Sequence, residues 1–467
     1  MKYLFFILLS LVFIGCSSKS IQSVEKISIQ KEIIVTHPKL TTVTPVIKID
    51  NNVDLDNGKI YDLEHISQDV NAYLKYINSK SSLYNSQKNY EKMYFSVWNM
   101  KKHKDSLNAA RWAFAIHKTT NSYGENLQPL KKDFFEKTYK NSNFKEYKTK
   151  NIKAITIRET NIRAFPTIKP LYRDPSLSGE GYPFDYLQNS TIHANKPILI
   201  SHFSQDKEWA FVFTSFTSGW IKTNELVVLN SKYTDLWQKA QQVSIIKEGV
   251  PIYDINGNFL FKSKIGMMFA LISEDENSYT ILNVSSYKNY KPLFLKSKIS
   301  KDIANKGTLK FTKNNLKNII NEVSKTNYGW GGLNEQRDCS SMLRDLYAPF
   351  GIWLPRNSSK QANVGKIIKL NHLSEDEKIS IIKEKAIPFE TFLYKKGHVM
   401  LYVGIYKNDI IIFHNMWGIK TNKDGVEGRI VIGRPIFSTL EVGKYQKYYD
   451  KDAKLLRKLR SINIFTR

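Results

Sequence analysis

The stretch "YGWGGLNEQRDCSSMLRDLYAPFG", residues 328–351, decides how the end of this chain is read. After Asp338 its apolar positions are Cys339, Met342, Leu343, Leu346, Tyr347 and Phe350, spaced i, i+3, i+4, i+7, i+8 and i+11, and Gly351 is placed to end a helix. The spacing predicts a helix with Asp338 as its N-cap and Cys339 in the first turn. Unpaired backbone amides and the helix dipole favour negative charge there, and they lower a thiol pKa from about 8.5 toward roughly 3.5–7.5 when a protonated histidine is also near. Two readings are open at this point: a nucleophilic thiolate, or one more apolar residue of the helical stripe.

Two β-like runs downstream, "GHVMLYVGIY" and "DIIIFHNMWG", carry His398 and His414. A nucleophilic cysteine needs a base to take and return its proton, and the base needs a polar group to fix its ring. If the turn between the runs is Lys407, Asn408 and Asp409, the two histidines fall on one sheet face but are offset along the strands. The other histidines have no partner at suggestive spacing and are assigned to surface or core duty. A lone cysteine and dispersed histidines lack the ligand count and spacing of a zinc site, so no metal is expected.

The 467 residues are 42% hydrophobic and 24% charged, a globular composition long enough for several domains. Residues 1–16 hold one lysine, an apolar run too short to span a bilayer comfortably, then Gly15 and Cys16. Phe13 to Ser18 resemble the lipobox of bacterial lipoproteins, whose cysteine is acylated. Cys16 is therefore the expected lipid site, and Cys339 the remaining free thiol of the two cysteines. Residues 17–59 read as a tether, 60–148 as a helical N-terminal module, 152–230 and 235–297 as two small β-rich units, and 305–467 as the part that holds the chemistry. A formal charge of +27, spread through the chain, suits an anionic envelope polymer or lipid head group, or is a generally basic surface. Nucleic acid is not an expected partner of an exported chain.

"RAFP…LYRDP" and "GWIKTNEL" resemble bacterial SH3 domains, and the second β-rich unit resembles a degenerate relative. "YGWGG", "DCSSM", "LPRNSSKQ", "GHVMLYVG" and "FHNMWG", in that order, resemble the NlpC-type peptidases, papain-like cysteine hydrolases of the bacterial cell wall. The fold this implies is multidomain α+β: a helical N-terminal segment, two SH3-like barrels and a C-terminal papain-like domain. The resemblance implies Cys339 as nucleophile, His398 as general base and acid, and His414 as the residue orienting it. It implies Tyr328, with the Cys339 amide, as oxyanion donors, and Asp338 and Ser340 where relatives recognise the amino group of a terminal L-Ala. It also implies that the first SH3-like unit walls the groove, with "GYPFDYLQNS" the expected contributing loop.

The activity implied is hydrolysis of peptidoglycan stem peptides or muropeptides, without a cofactor, between γ-D-glutamate and the diamino acid. The location implied is the periplasmic side of the envelope, on the outer membrane if the host is diderm, since Ser17 follows Cys16. A catalytically silent wall-binding lipoprotein, and a thiol-dependent amidase or acyltransferase, are the competing readings.

Overall fold

The computed structural model describes residues 59–77, 87–101, 103–177, 179–287 and 291–465. The expected signal with Cys16, and all but the last residue of the expected tether, lie outside the described residues.

The C-terminal part is built on six antiparallel strands in the spatial order Lys366–Lys369, Ser461–Ile464, Thr391–Lys395, His398–Tyr406, Asp409–Lys423 and Val426–Thr439. Side chains alternate across a strand, so successive residues serve two cores. Val399, Leu401 and Val403 pack with the helices Lys313–Val323 and Cys339–Tyr347, whereas Met400 and Tyr402 pack with Ile382 of the helix Glu375–Lys385. On the first of these helices Leu316, Ile319, Ile320 and Val323 are all buried, the face their spacing predicts.

Ahead of it lie two β-rich units. The first is a seven-stranded antiparallel sheet drawn from Ile152–Thr156 through Leu226–Val228, with Ile162, Ile192, Ile200, Val212 and Ile221 inside it. The second is a five-stranded sheet with a two-stranded ribbon, Pro251–Tyr253 against Phe259–Lys262. It extends past residue 297: Ala304–Lys306 pairs with Gln242–Ile245. A three-residue strand has too few positions to show a period.

The N-terminal region is helical, but its longest helix among the described residues is ten residues, Lys132–Asn141. Val70, Tyr73, Leu74 and Ile77, spaced for one helix face, fall on two consecutive 3₁₀ turns. Helices this short cannot bury one another, so their apolar residues enter neighbouring cores. Val70 and Tyr73 join the core behind Cys339, and Tyr94 to Trp98 cover the aromatic outer face of the first sheet, where Trp98 Nε1 donates to the Ala154 carbonyl at 2.9 Å.

A buried charge cluster joins the two β-rich units to the C-terminal part. Arg337 donates to Glu248 at 2.9 and 3.2 Å and to Asp345 at 2.8 Å, with its side chain only 2% exposed. His193 of the first sheet meets the same Asp345 at 3.2 Å. Arg337 stands two residues before Cys339 and Asp345 lies on the Cys339 helix, so this cluster sets where the helix starts.

Removing one member of a buried charge set strands the others. Arg337→Met is expected to lower stability by about 3–5 kcal/mol, read from the midpoint of chemical denaturation. A change under about 1 kcal/mol would mean that the junction is held by packing alone.

Candidate active site

Asp338 caps the Cys339–Tyr347 helix: its Oδ1 accepts the Ser341 amide at 2.8 Å, and Ser341 Oγ accepts the Asp338 amide at 2.9 Å. Cys339 thus occupies the first turn, as its spacing predicts. It is 7% exposed and lines a cleft with Tyr328, Ser340, Arg356 and Gly397. The helix start reaches the beginning of the His398–Tyr406 strand, where the Val399 amide faces the Cys339 sulfur.

The placement of the two histidines depends on register. The turn is Lys407-Asn408, both left-handed (φ 47° and 71°), so Tyr406 pairs with Asp409 and the turn has two residues rather than three. A two-residue turn pairs odd with even positions, which alone would put His398 and His414 on opposite faces. A bulge at Val403 corrects this: Gly404 pairs with Ile411, but Tyr402 pairs with Ile412 and Leu401 with Phe413. Beyond the bulge the even-numbered residues of both strands share a face. Gly404 adopts φ 135°, and a Cβ there would meet the Tyr76 ring at 2.4 Å; the Tyr76 hydroxyl donates to the Ile405 carbonyl.

On that shared face a hydrogen-bonded relay fixes both rings. Ser438 Oγ donates to the Thr439 carbonyl at 3.0 Å, so its oxygen accepts from His414 Nε2 at 2.9 Å. His414 Nδ1 is then a lone pair and accepts from His398 Nε2 at 2.8 Å. The nitrogen left bare on His398 is Nδ1, a proton acceptor. The residues on either side of Ser438 are clamped by the N-terminal region. Gln68 exchanges hydrogen bonds of 2.8 and 3.0 Å with the Phe437 backbone, and Asp62 accepts the Thr439 amide and hydroxyl at 2.7 and 2.8 Å.

Residues 325–430 match the NlpC/P60 family, 5–147 the NLPC_P60 stabilising domain, 170–222 an SH3 domain of SH3b1 type and 231–276 an SH3 domain of SH3b2 type. The chain belongs to the NlpC/P60 family, in its multidomain form with SH3-like domains. A solved NlpC/P60 endopeptidase from Photobacterium damselae subsp. piscicida is similar at a TM-score of 0.75 and 24% identity, over 86% of this chain and 98% of that one. An NlpC/P60 protein from Bacillus cereus is similar at a TM-score of 0.42 and 15% identity, over 68% and 100%. No curated protein matches the chain.

In this NlpC/P60 domain Tyr328, Asp338, Cys339 and Ser340 line one cleft, and His398 lines an adjoining one that shares Tyr328 and Gly397 with it, whereas His414 lies behind His398. Tyr328 lines it beside Cys339 and Gly397. Burial, with Cys339 and Asp338 as further causes, holds the Tyr328 phenol well above its usual range, so it remains a donor. Asp338 and Ser340 are there too, but already engaged: Arg356 donates to the Asp338 carboxylate at 2.6 and 3.1 Å and to Ser340 Oγ at 2.9 Å. Burial pushes the Asp338 carboxyl up, yet Arg356 and Ser341 outweigh it and the net shift is down.

Sequence reasoning gave no role to Arg356, Asn415 or Gln361, although each stands in a quoted motif. Asn415 donates to the Arg337 carbonyl at 2.7 Å and Gln361 to that of Ser340 at 2.8 Å, which ties both sides of the nucleophile's turn to the frame. From the first SH3-like unit, Tyr186 and Gln188 line the Cys339 cleft, and Phe184 packs edge-on to Trp330 and Trp417. Close approach there requires glycine: a Cβ on Gly332 would meet Thr191 Oγ1 at 2.3 Å.

The thiol differs from its expectation. Burial, then the Asp338 carboxylate, pushes Cys339 up to about 11, although the Val399 amide and Arg356 oppose them. Burial, with His414 and Lys395 beside it, holds His398 well below its ordinary range, and burial with Lys395 brings His414 to about 3. The resting pair is a neutral thiol and a neutral imidazole, because desolvation disfavours charge on both.

Alkylation of Cys339 by iodoacetamide is accordingly expected to rise about tenfold per pH unit from neutrality toward pH 10. A rate already flat from acidic pH would identify a resting thiolate. Ser438→Ala is expected to replace the single His398 Nε2–H, His414 Nε2–H tautomer pair by a mixture, visible in imidazole ¹⁵N shifts; an unchanged spectrum would show that Ser438 does not set it.

Proposed function

We propose that the protein is a cell-wall cysteine endopeptidase that hydrolyses peptidoglycan stem peptides at the γ-D-glutamyl–diamino acid bond. Membership of the NlpC/P60 family supports the coarser part of this, a peptidase-like activity on the cell wall. The observation that supports the thiol chemistry is the relay from Ser438 through His414 to His398, which leaves a bare imidazole nitrogen on the residue next to the amide that faces the thiol; the bond is the one the ordered motifs imply.

In the proposed reaction His398 Nδ1 takes the Cys339 proton as sulfur attacks the amide carbonyl, because a thiol at about 11 is not ionised beforehand. Charge develops on the carbonyl oxygen, which the Cys339 amide at the helix start and the Tyr328 hydroxyl stabilise. His398 then gives its proton to the departing amine as the C–N bond breaks. Water, activated by the same nitrogen, hydrolyses the thioester and restores the thiol. His414 and Ser438 keep the ring in the tautomer that presents Nδ1. We place the chain at the envelope, tethered by lipid on Cys16, on the sequence of its first residues.

Cys339→Ala is expected to lower cleavage of purified muropeptides by more than about a thousandfold while leaving the circular dichroism spectrum unchanged. Mass spectrometry of the digest identifies the bond. Cleavage elsewhere in the stem peptide would redirect the specificity, and unchanged turnover by the variant would reject the nucleophile.

A further inference from the structure

A second, smaller recess shares no lining residue with the Cys339 cleft. It lies where the parts of the molecule meet: Tyr90 comes from the N-terminal region, His193 and Lys196 from the first β-rich unit, Gly266 from the second, and Arg344 and Asp345 from the Cys339–Tyr347 helix. Its volume, about 20 Å³, admits one water-sized particle.

The charges around this recess pair off with one cation left over. Lys264 meets Glu159 at 2.8 Å, Arg337 meets Glu248 at 2.9 Å, and Arg344 meets Asp345 at 3.0 Å. Lys196 is 8% exposed, and its ammonium has no ion pair or hydrogen bond among the described residues. The Tyr94 ring, with its centroid 3.4 Å from Nζ, attracts a cation through its quadrupole but supplies no counter-charge. Asp345 is already committed, since its Oδ1 accepts from Arg344 and its Oδ2 from Arg337 and His193. A proton on the His193 ring, set between Glu159 at 3.8 Å and Asp345 at 3.2 Å, would add to the positive excess. Burial, then Arg344, holds the Lys196 pKa well below the ordinary lysine range against the pull of Asp345. Two further donors on lining residues are unused: Arg344 Nη1 is buried without a hydrogen-bond partner, and the hydroxyl of the buried Tyr90 has none among the described residues.

We propose that this recess binds a single chloride ion, held by the Lys196 ammonium, with Arg344 Nη1 and the Tyr90 hydroxyl as the further donors available to it. Sulfate, phosphate or a carboxylate is too large for a space of one water, and water would fill it without meeting the charge. One monovalent anion matches the one uncompensated cation. The ion completes the charge balance where the N-terminal region, both β-rich units and the Cys339 helix converge. Its binding stabilises the folded chain by mass action, because the unfolded chain has no such site.

The test uses the full chain, with gluconate, too large for the recess, replaced by chloride or bromide at fixed pH and ionic strength. The unfolding temperature of the wild type is expected to rise along a saturating curve by about 2 °C or more. Bromide-soaked crystals are expected to show an anomalous peak within hydrogen-bond reach of Lys196 Nζ. Lys196→Met keeps the apolar stem without the charge, and is expected to abolish both the peak and the halide dependence. Should that variant fail to fold, the bromide peak in the wild type decides alone. Equal stability in gluconate and chloride, the result of an uncharged Lys196 beside water, overturns the site, as does a recess without bromide. A halide dependence undiminished in Lys196→Met also overturns it, and assigns the effect to the basic surface.

Discussion

The active site depends on one extra residue in a strand. A two-residue turn at Lys407-Asn408 gives the strongest hairpin twist but the wrong parity, and without the bulge at Val403 the two imidazoles would point away from each other. The bulge is in turn held by Tyr76, whose ring fills the space that only a glycine at 404 leaves open. A residue of the N-terminal region therefore enforces the register on which the His398–His414 hydrogen bond rests. The same region grips the edge strand on both sides of Ser438 through Gln68 and Asp62. An edge strand with unpaired backbone groups would otherwise fray, and the serine that fixes the tautomers would move with it.

The thiol side is held independently. Arg337 anchors the residue before the N-cap to Glu248 of the second β-rich unit and to Asp345 on the helix itself. Asn415, next to His414, accepts no such charge but donates to the Arg337 carbonyl, so the histidine strand and the nucleophile's turn share a single point. Each part outside the C-terminal sheet thus supplies a contact to the turn, the relay or the cleft wall. The glycines of "YGWGG" belong to the same scheme, since side chains at Gly331 or Gly332 would collide with Gln188 and Thr191 of the first sheet.

The helix at Cys339, its cap and its buried face were legible because they depend on local spacing, and the histidines because a cysteine nucleophile demands them. The ordered motifs made the family legible as well. Ser438 was not, because it lies on a strand of ordinary alternation 24 residues beyond His414 and gains meaning only through pairing. Arg356 stood in a quoted motif, but nothing local indicates that its partner is Asp338. The direction of the thiol shift was missed for a related reason. A helix start is visible in sequence, whereas the desolvation that outweighs it arises from packing by distant residues.

A neutral resting pair changes what the surroundings must do. With a preformed thiolate the protein would have to hold a buried ion pair at all times, at a desolvation cost that hydrogen bonds only partly offset. In the proposed reaction charge appears only as sulfur attacks, and the groups that would meet it are already in place: the Val399 amide, Arg356 and Lys395 all act to favour a negative sulfur, and the Tyr328 phenol is kept protonated by burial. Arg356 is fixed in that position by its own ion pair with Asp338, so its field is available without a side-chain rearrangement. Lys395 differs in having no ion pair among the described residues, so its positive charge faces the thiol uncompensated.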